Sequence, residues 1–337
     1  MKSQFIAQTL TALTLLTISC GPSQNQSSVE IYEEIYDIIN SNRSIFGGNE
    51  VLKIQDHFSA KHTVAIKAKN IGICSASIIA ANAIITAVHC VSHAYYDPEH
   101  PETPTLEAID PKNLQIYFEP TLNKETFSHV AAQIVLHPQF KLDSETEFDL
   151  FVQIDELNLN LALALAQQNF EDKIESITTI KEQIQKIKQL ILIEGKNKND
   201  LAIVFFEDPL PENYRPASLL NLTENDLKVN DFVVLAGYGS KNPEQSQGTG
   251  QLRYAEVAVL DPNFSATQIT VRQDEGRGAC LGDSGGPAYL VRNNKVYLVG
   301  ATQGGADCAN AAIYTFLPSY AEWIDQELHK ASLLKKD

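Results

Sequence analysis

Gly282-Asp283-Ser284-Gly285-Gly286-Pro287 is the sharpest signal in the chain. A serine that attacks a carbonyl needs its own backbone amide and a nearby one to converge on the developing oxyanion. Glycines let the chain turn tightly enough for the Gly282 and Ser284 N–H groups to share one target. A glycine-rich turn holding a serine is usually structural, so its reading depends on partners elsewhere. Upstream, Ile84-Ile85-Thr86-Ala87-Val88-His89-Cys90 places a histidine directly after an apolar run. Alone, His89 reads as a satisfied structural residue. Beside the serine turn it supplies the neutral imidazole that a hydroxyl nucleophile needs as its base. An acid that fixes the imidazole tautomer and stabilises imidazolium completes such a set. Asn199-Asp200-Leu201-Ala202-Ile203-Val204 offers Asp200 at the mouth of an apolar strand, giving the chain order His89, Asp200, Ser284.

These segments resemble the trypsin/chymotrypsin family of serine endopeptidases, whose TAAHC, DIAL and GDSGGP motifs match Thr86–Cys90, Asp200–Ile203 and Gly282–Pro287. The resemblance runs from Ile45 to about residue 328 and implies an all-β fold of two six-stranded antiparallel barrels with the site between them. Tyr238, in Ala236-Gly237-Tyr238-Gly239, stands where the family usually has Trp, and Pro209 keeps the family's spacing from Asp200. Asp200 has a rival. His137-Pro138-Gln139-Phe140 resembles a family segment that the catalytic acid follows by about a dozen residues, which is where Asp149 lies. Ala202 and Pro209 favour Asp200, since Asp149 has neither companion.

The resemblance also implies disulfides Cys74–Cys90, beside the histidine, and Cys280–Cys308, bracing the specificity pocket. Ile45-Phe46-Gly47-Gly48 resembles the start of the family's mature enzymes, whose new α-amino group pairs with the acid before the serine. Ile45 and Asp283 are the matching positions. A buried Asp283 without a cation is costly, so the uncut chain is expected to be a zymogen activated between Ser44 and Ile45. Ser44 is not the Arg or Lys that usually precedes such a cut, and Arg43 is one residue away. The pocket walls implied are Gly278, Ala279, Gly305 and Ala312, with no carboxylate for a Lys or Arg side chain, so apolar substrate residues are expected. Gln303-Gly304-Gly305 replaces the family's Ser-Trp-Gly strand, which puts substrate pairing and the support of the catalytic acid in question.

Outward from these motifs, short β-branched and apolar runs separated by turn residues occur at 62–68, 77–86, 114–119, 131–137, 200–206, 231–239, 251–260, 267–272, 286–301 and 312–317. That texture reads as a sandwich or barrel. Residues 319–334 read as a closing helix that packs Trp323 and Leu328. A helical insertion, about residues 141–199, breaks the pattern: Ile174, Ile177, Ile180, Ile184, Ile187, Leu190 and Ile191 recur three or four apart, Gly195 sits at a C-cap position, and Leu161–Phe170 offers a first hairpin arm.

The N-terminal residues read as an export signal. Lys2 precedes an apolar stretch, Phe5–Ile18, too short to span a hydrocarbon core of roughly 30 Å. Leu16-Thr17-Ile18-Ser19-Cys20-Gly21 resembles the bacterial lipobox, with Thr17 where Leu is usual. Residues 1–20 are therefore expected to be a signal peptide with Cys20 lipidated, and 21–44 a tether and propeptide whose Val29–Asn40 stretch aligns Ile31, Tyr32, Ile35, Tyr36, Ile38 and Ile39 on a helix face. Residues 45–337 form the protease domain. Five Cys then resolve into two disulfides and one lipid anchor, in a compartment where disulfides persist. The anchor would hold the protein on a bacterial membrane, in the periplasm or at the cell surface, until activation releases it.

Acidic composition narrows the partners. With 42 Asp+Glu against 26 Lys+Arg, the formal charge is −16, which excludes a general nucleic-acid binder and electrostatic docking to anionic lipid. A polypeptide substrate is expected and no cofactor. Cys74, His89 and Cys90 as zinc ligands are disfavoured because no ligand spacing repeats, and the acidic stretch Asp97–Asp110 reads as a solvated loop rather than a calcium site. The competing function is a catalytically silent binding protein on the same fold, which predicts the loss of a catalytic residue. None is lost.

Overall fold

The structure, a computed structural model, describes residue 45 and residues 48–334, except 70, 98–99, 124, 141–152, 154–155, 158–159, 162–176, 188–189, 191–195, 197, 221–226, 241–248, 275, 305–307 and 309–310. Six antiparallel strands close the first barrel in the order Thr63–Ala68, Gly72–Ala80, Ala83–Thr86, Ala202–Phe206, Ser128–Leu136 and Leu114–Tyr117. The second runs Arg253–Ser265, Phe232–Gly237, Pro287–Arg292, Lys295–Gly304, Ala311–Phe316 and Gln268–Arg272, and a final pairing of Gln268–Arg272 with Arg253–Ser265 closes it. Asn49–Glu50 adds a short strand on Arg253 and Tyr254. The fold is the trypsin-like pair of all-β barrels.

Alternation explains the two cores. Val64, Ile66, Ile78, Ile84, Leu114, Ile116, Val204 and Phe206 fill the first barrel, while Val233, Leu235, Val257, Val259, Ile269, Val271, Leu290 and Val299 fill the second. Their neighbours at period two point the other way. Ala65, Ile85, Ile203 and Phe205 from the first barrel pack with Val234, Ala236, Tyr238 and Tyr289 from the second. Each such strand is buried on both faces, so its sequence reads as a continuous apolar run. Complete burial of one of these isoleucines contributes about 1.5–3 kcal/mol relative to exposure.

That double burial explains two corrections. The run 77–86 is two strands, Gly72–Ala80 and Ala83–Thr86, joined by a turn at Ala81-Asn82, and the run 286–301 is divided by Asn293-Asn294, both at positive φ (51° and 59°). The asparagines tolerate the left-handed conformation of a tight hairpin. A third correction concerns Asp97–Asp110: Ser92–Asp97 and His100–Ala108 pair as an antiparallel hairpin rather than an acidic loop, and Asp110 accepts a hydrogen bond from the Lys112 amide (3.0 Å).

Residues 177–187 are helical, as are 153, 156, 157, 160 and 161, within a separate compact unit that holds Asp149–Lys188. There Leu161, Ile177 and Ile184 are buried together, with Leu157 and Ile180 against them. At the C-terminus, helix Ala321–Leu334 follows a 3₁₀ turn, Leu317–Tyr320, and lays Trp323, Ile324 and Leu328 on the core shared by the barrels.

Candidate active site

Strand register brings His89 to Asp200. Thr86 pairs with Ala202 across the first barrel. The chain leaves Thr86 into the 3₁₀ turn Val88–Cys90, and Asp200 lies just before Ala202 on the antiparallel partner. His89 Nδ1 is 2.6 Å from Asp200 Oδ2, and the His89 amide donates to Oδ1 (3.2 Å), so one carboxylate fixes both ring and backbone. Asp200 is buried while the His89 side chain is 39% exposed, leaving the imidazole open to solvent. Asn199, at φ 54°, reverses the chain into the acid, and its amide is clamped between Gln139 O (2.9 Å) and Tyr320 Oη (2.7 Å). The Thr315 hydroxyl donates to the Asp200 carbonyl (3.2 Å). Asp149 lies outside the described residues.

The serine turn is pinned from both barrels. Asp283, Gly285 and Gly286 amides donate to Cys280 O, Thr302 O and Asp283 O, and the Ser284 carbonyl accepts from the Ser75 amide (2.9 Å). Among the described residues, the Gly282 and Ser284 amides donate to no acceptor. Those two N–H groups are the ones an oxyanion would need. Gly282 (φ 91°) and Gly285 (φ 73°) adopt left-handed conformations, and a Cβ on Gly285 would meet the Ala87 nitrogen at 2.7 Å. The turn thus lies directly against the segment that carries His89. Cys90 Sγ, 3.7 Å from the Ser284 carbonyl oxygen, adds a further contact.

Ser75, which sequence reasoning passed over, organises this junction. Its hydroxyl donates to the Gly282 carbonyl (3.1 Å) and accepts from the Tyr238 amide (2.9 Å), and its carbonyl accepts from the Thr86 hydroxyl (2.9 Å). Tyr238, where Trp is usual, is wholly buried and donates from Oη to the Glu119 carbonyl (3.0 Å), joining one barrel to the other. Ser75→Ala leaves a buried Tyr238 amide unpaired, at a cost of about 1–3 kcal/mol. It should lower both the melting temperature and turnover, whereas Ser75→Thr should retain most of each; thermal melts and steady-state kinetics of the two variants check this.

Asp283 is fully buried, and its carboxylate accepts from the amides of Gly239 (2.8 Å), Cys280 (3.0 Å) and Ile45 (3.1 Å). Gly237 and Gly239 crowd it so closely that a Cβ on either would collide with the carboxylate. Burial is the largest influence and pushes the Asp283 carboxyl up to about 6, against the opposing pull of the three amides and the positive charge of Arg253. Ile45 is itself buried.

Cys74–Cys90 and Cys280–Cys308 are disulfides, with Cα separations of 6.1 and 5.0 Å. The first ties up both sulfurs of the Cys74, His89 and Cys90 cluster, so no thiolate remains there to bind zinc. Replacing Cys74 and Cys90 together with alanine should cost roughly 2–5 kcal/mol, read as a shifted denaturant midpoint. Gly278, Ala279 and Ala312 are buried, and Ala279 and Ala312 share one core cluster, whereas Gly305 and residues 1–44, Cys20 among them, lie outside the described residues. Gln303 Oε1 accepts from Gln268 Nε2 (2.6 Å).

The comparisons agree with this geometry. A family model described as Trypsin matches residues 165–324, a span that holds Asp200 and Ser284. The chain is 28% identical to CLIP domain-containing serine protease C9 of Anopheles gambiae over 38% of its own length and 44% of that protein's. It is 25% identical to Serine protease 28 of Mus musculus over 76% of its length and 78% of the relative's. Trypsin Blo t 3 of Blomia tropicalis is 29% identical over 37% of the chain and 53% of its own length. Against the first relatives it matches, the chain spans less than half their length. Fold, site and comparisons together define a trypsin-like domain, similar to serine proteases.

Proposed function

We propose that this chain is a serine endopeptidase working through an acyl-enzyme. Ser284 attacks the peptide carbonyl, His89 takes its proton and returns it to the leaving amine, Asp200 orients the imidazole, and the Gly282 and Ser284 amides hold the oxyanion. The observation that carries this reading is the 2.6 Å His89–Asp200 contact beside a serine turn whose two key amides are undonated. Two disulfides support export, because such bonds persist outside reducing compartments. Residues 1–20 act as the signal, with Cys20 carrying a lipid that anchors the uncut protein to a bacterial membrane. Residues 21–44 are the propeptide, and activation frees Ile45–Asp337. The neutral surroundings of Gly278, Ala279 and Ala312 disfavour Lys and Arg in the pocket. Digestion of an unfolded protein by the cut chain, with loss of all cleavage in Ser284→Ala, tests the endopeptidase reading; intact substrate from the cut wild-type chain contradicts it.

The zymogen reading has a pH signature. In the uncut chain Asp283 has amide donors but no ammonium partner, and its carboxyl stands at about 6 instead of 3.8. Between about pH 4 and 6 the folded chain therefore binds more protons than the unfolded one, and stability rises as pH falls through that window. The full effect is about 3 kcal/mol. The difference in melting temperature between uncut wild type and Asp283→Asn should accordingly shift in favour of wild type on going from pH 7 to pH 4.5. A difference that does not change with pH contradicts a buried, unpaired Asp283. After cutting, the Ile45 ammonium supplies the missing charge, and its stabilisation is lost as pH rises through the amine's raised value.

A further inference from the structure

Gly278 has no side chain, yet its side-chain space is filled. A Cβ built on Gly278 would run into the carboxamide of Gln273, touching Oε1, Cδ and Cγ. The position six before the serine is the one that carries Asp in trypsin, so the Gln273 carboxamide stands where a pocket-floor side chain would begin. Gln273 is 1% exposed, and its Oε1 accepts from the Ala279 amide (2.5 Å). That bond fixes which end of the amide is which. Among the described residues, the opposite end, Nε2, is buried with no hydrogen-bond partner.

A second polar group lies in the core cluster that holds Ala279. Tyr314 shares a strand face with Ala312 and clusters with Ala279 and Ala312. Its Oη is buried beside the Thr302 hydroxyl, which donates to the Gly286 carbonyl (2.9 Å) and can still accept from Tyr314, so the lone pairs of Oη remain to accept a donor. A buried donor left unpaired costs about 1–3 kcal/mol, and Gln273 Nε2 makes sense if a ligand completes it. Arg272 and Arg277 belong to a different crevice, with Val257 and Ala258.

We propose that Gln273 is the specificity-determining residue of the pocket and selects a carboxamide side chain, glutamine first, at the substrate position whose carbonyl is attacked. The substrate amide oxygen accepts from Gln273 Nε2, and its amide nitrogen donates to Tyr314 Oη. Lysine and arginine offer donors only and cannot satisfy Nε2. A carboxylate would be buried with no cation beside it, and an apolar side chain leaves Nε2 unpaired. The proposal rests on the endopeptidase reading for its substrate; it keeps the neutral pocket expected from sequence and replaces the apolar preference expected there with a carboxamide one.

The test uses the full chain cut before Ile45 and three fluorogenic peptides that differ only in carrying Gln, Leu or Arg at the cleaved position. The expected kcat/KM for Gln exceeds that for Leu by about tenfold or more, with Arg weakest, a site built to hydrogen-bond being intolerant of analogues that cannot. In Gln273→Leu the order of Gln and Leu inverts. Equal or better cleavage after Leu by wild type overturns the proposal, as does an unchanged order in a Gln273→Leu protein that still reacts with a fluorophosphonate. A second readout needs no turnover: Ser284→Ala should bind a peptide ending in Gln more tightly than one ending in Leu. Tighter binding of that peptide by Ser284→Ala, together with a cut wild-type chain that a fluorophosphonate does not label, would sink the protease reading and leave the pocket assignment standing. Labelling without any preference would do the reverse.

Discussion

Asp200→Asn is expected to lower kcat of the cut enzyme roughly 10⁴-fold while leaving the fold intact. The carboxylate accepts from both the His89 ring and the His89 amide. Asparagine can keep one of those bonds, but its NH₂ faces Nδ1 and forces the proton onto Nε2, the nitrogen that must accept from Ser284. KM should change little, because the loss falls on proton transfer rather than on substrate contacts. Asp149→Asn is the paired control and should stay within a few-fold of wild type. A large loss in Asp149→Asn with a small one in Asp200→Asn would transfer the role to the rival acid. Steady-state kinetics on one peptide substrate, with thermal melts for both variants, measure this.

The second large effect concerns the cut before Ile45. Replacing residues 40–44 with an enteropeptidase site makes the cut controllable, and cleavage should raise kcat/KM by about 10²–10³, the scale of forming or losing an oxyanion donor. The cause is electrostatic. Asp283 adjoins Ser284, and its carboxylate is bonded by the Cys280 and Gly239 amides that shape the turn. When the Ile45 nitrogen, 3.1 Å from that carboxylate, becomes an ammonium, a buried charge gains its counter-charge and the turn is held in place. Asp283→Asn should abolish the gain on cutting without abolishing Ser284 itself. Gly239→Ala, which drives a methyl group into the Asp283 carboxylate, should behave alike.

What could be read from the sequence divides along a physical line. His89, Asp200 and Ser284 stood out as candidates because short local motifs carry the residue types that acyl transfer demands, while the pairing of the four cysteines, present as two disulfides, came from the family resemblance. The many short strands pointed to an all-β sandwich or barrel, and the two-barrel architecture came from the family resemblance. Strand ends were less so: Ala81-Asn82 and Asn293-Asn294 turn inside apolar runs because strands buried on both faces lose the alternation that marks a half-buried strand. The hairpin Ser92–Ala108 was hidden by its acidic and proline residues, which read as a loop. Ser75 and Gln273 were illegible for a different reason. A serine within an apolar strand and a glutamine after one carry no local signature, and their roles come from partners distant in the chain: Gly282 and Tyr238 for Ser75, and Gly278 and Ala279 for Gln273. The nearest sequence hint was the bare Gly278, a pocket position whose side-chain space some other residue had to fill.

Reaction of Ser284 with a fluorophosphonate, followed before and after cleavage at Ile45, tests the central claim most directly. Labelling of the uncut chain should be slow and that of the cut chain rapid, with a single modified peptide containing Ser284 and no labelling of His89→Ala under the same conditions. Labelling that is equally fast before and after the cut would contradict the activation mechanism, and an unlabelled Ser284 in the cut, folded chain would contradict the catalytic assignment itself.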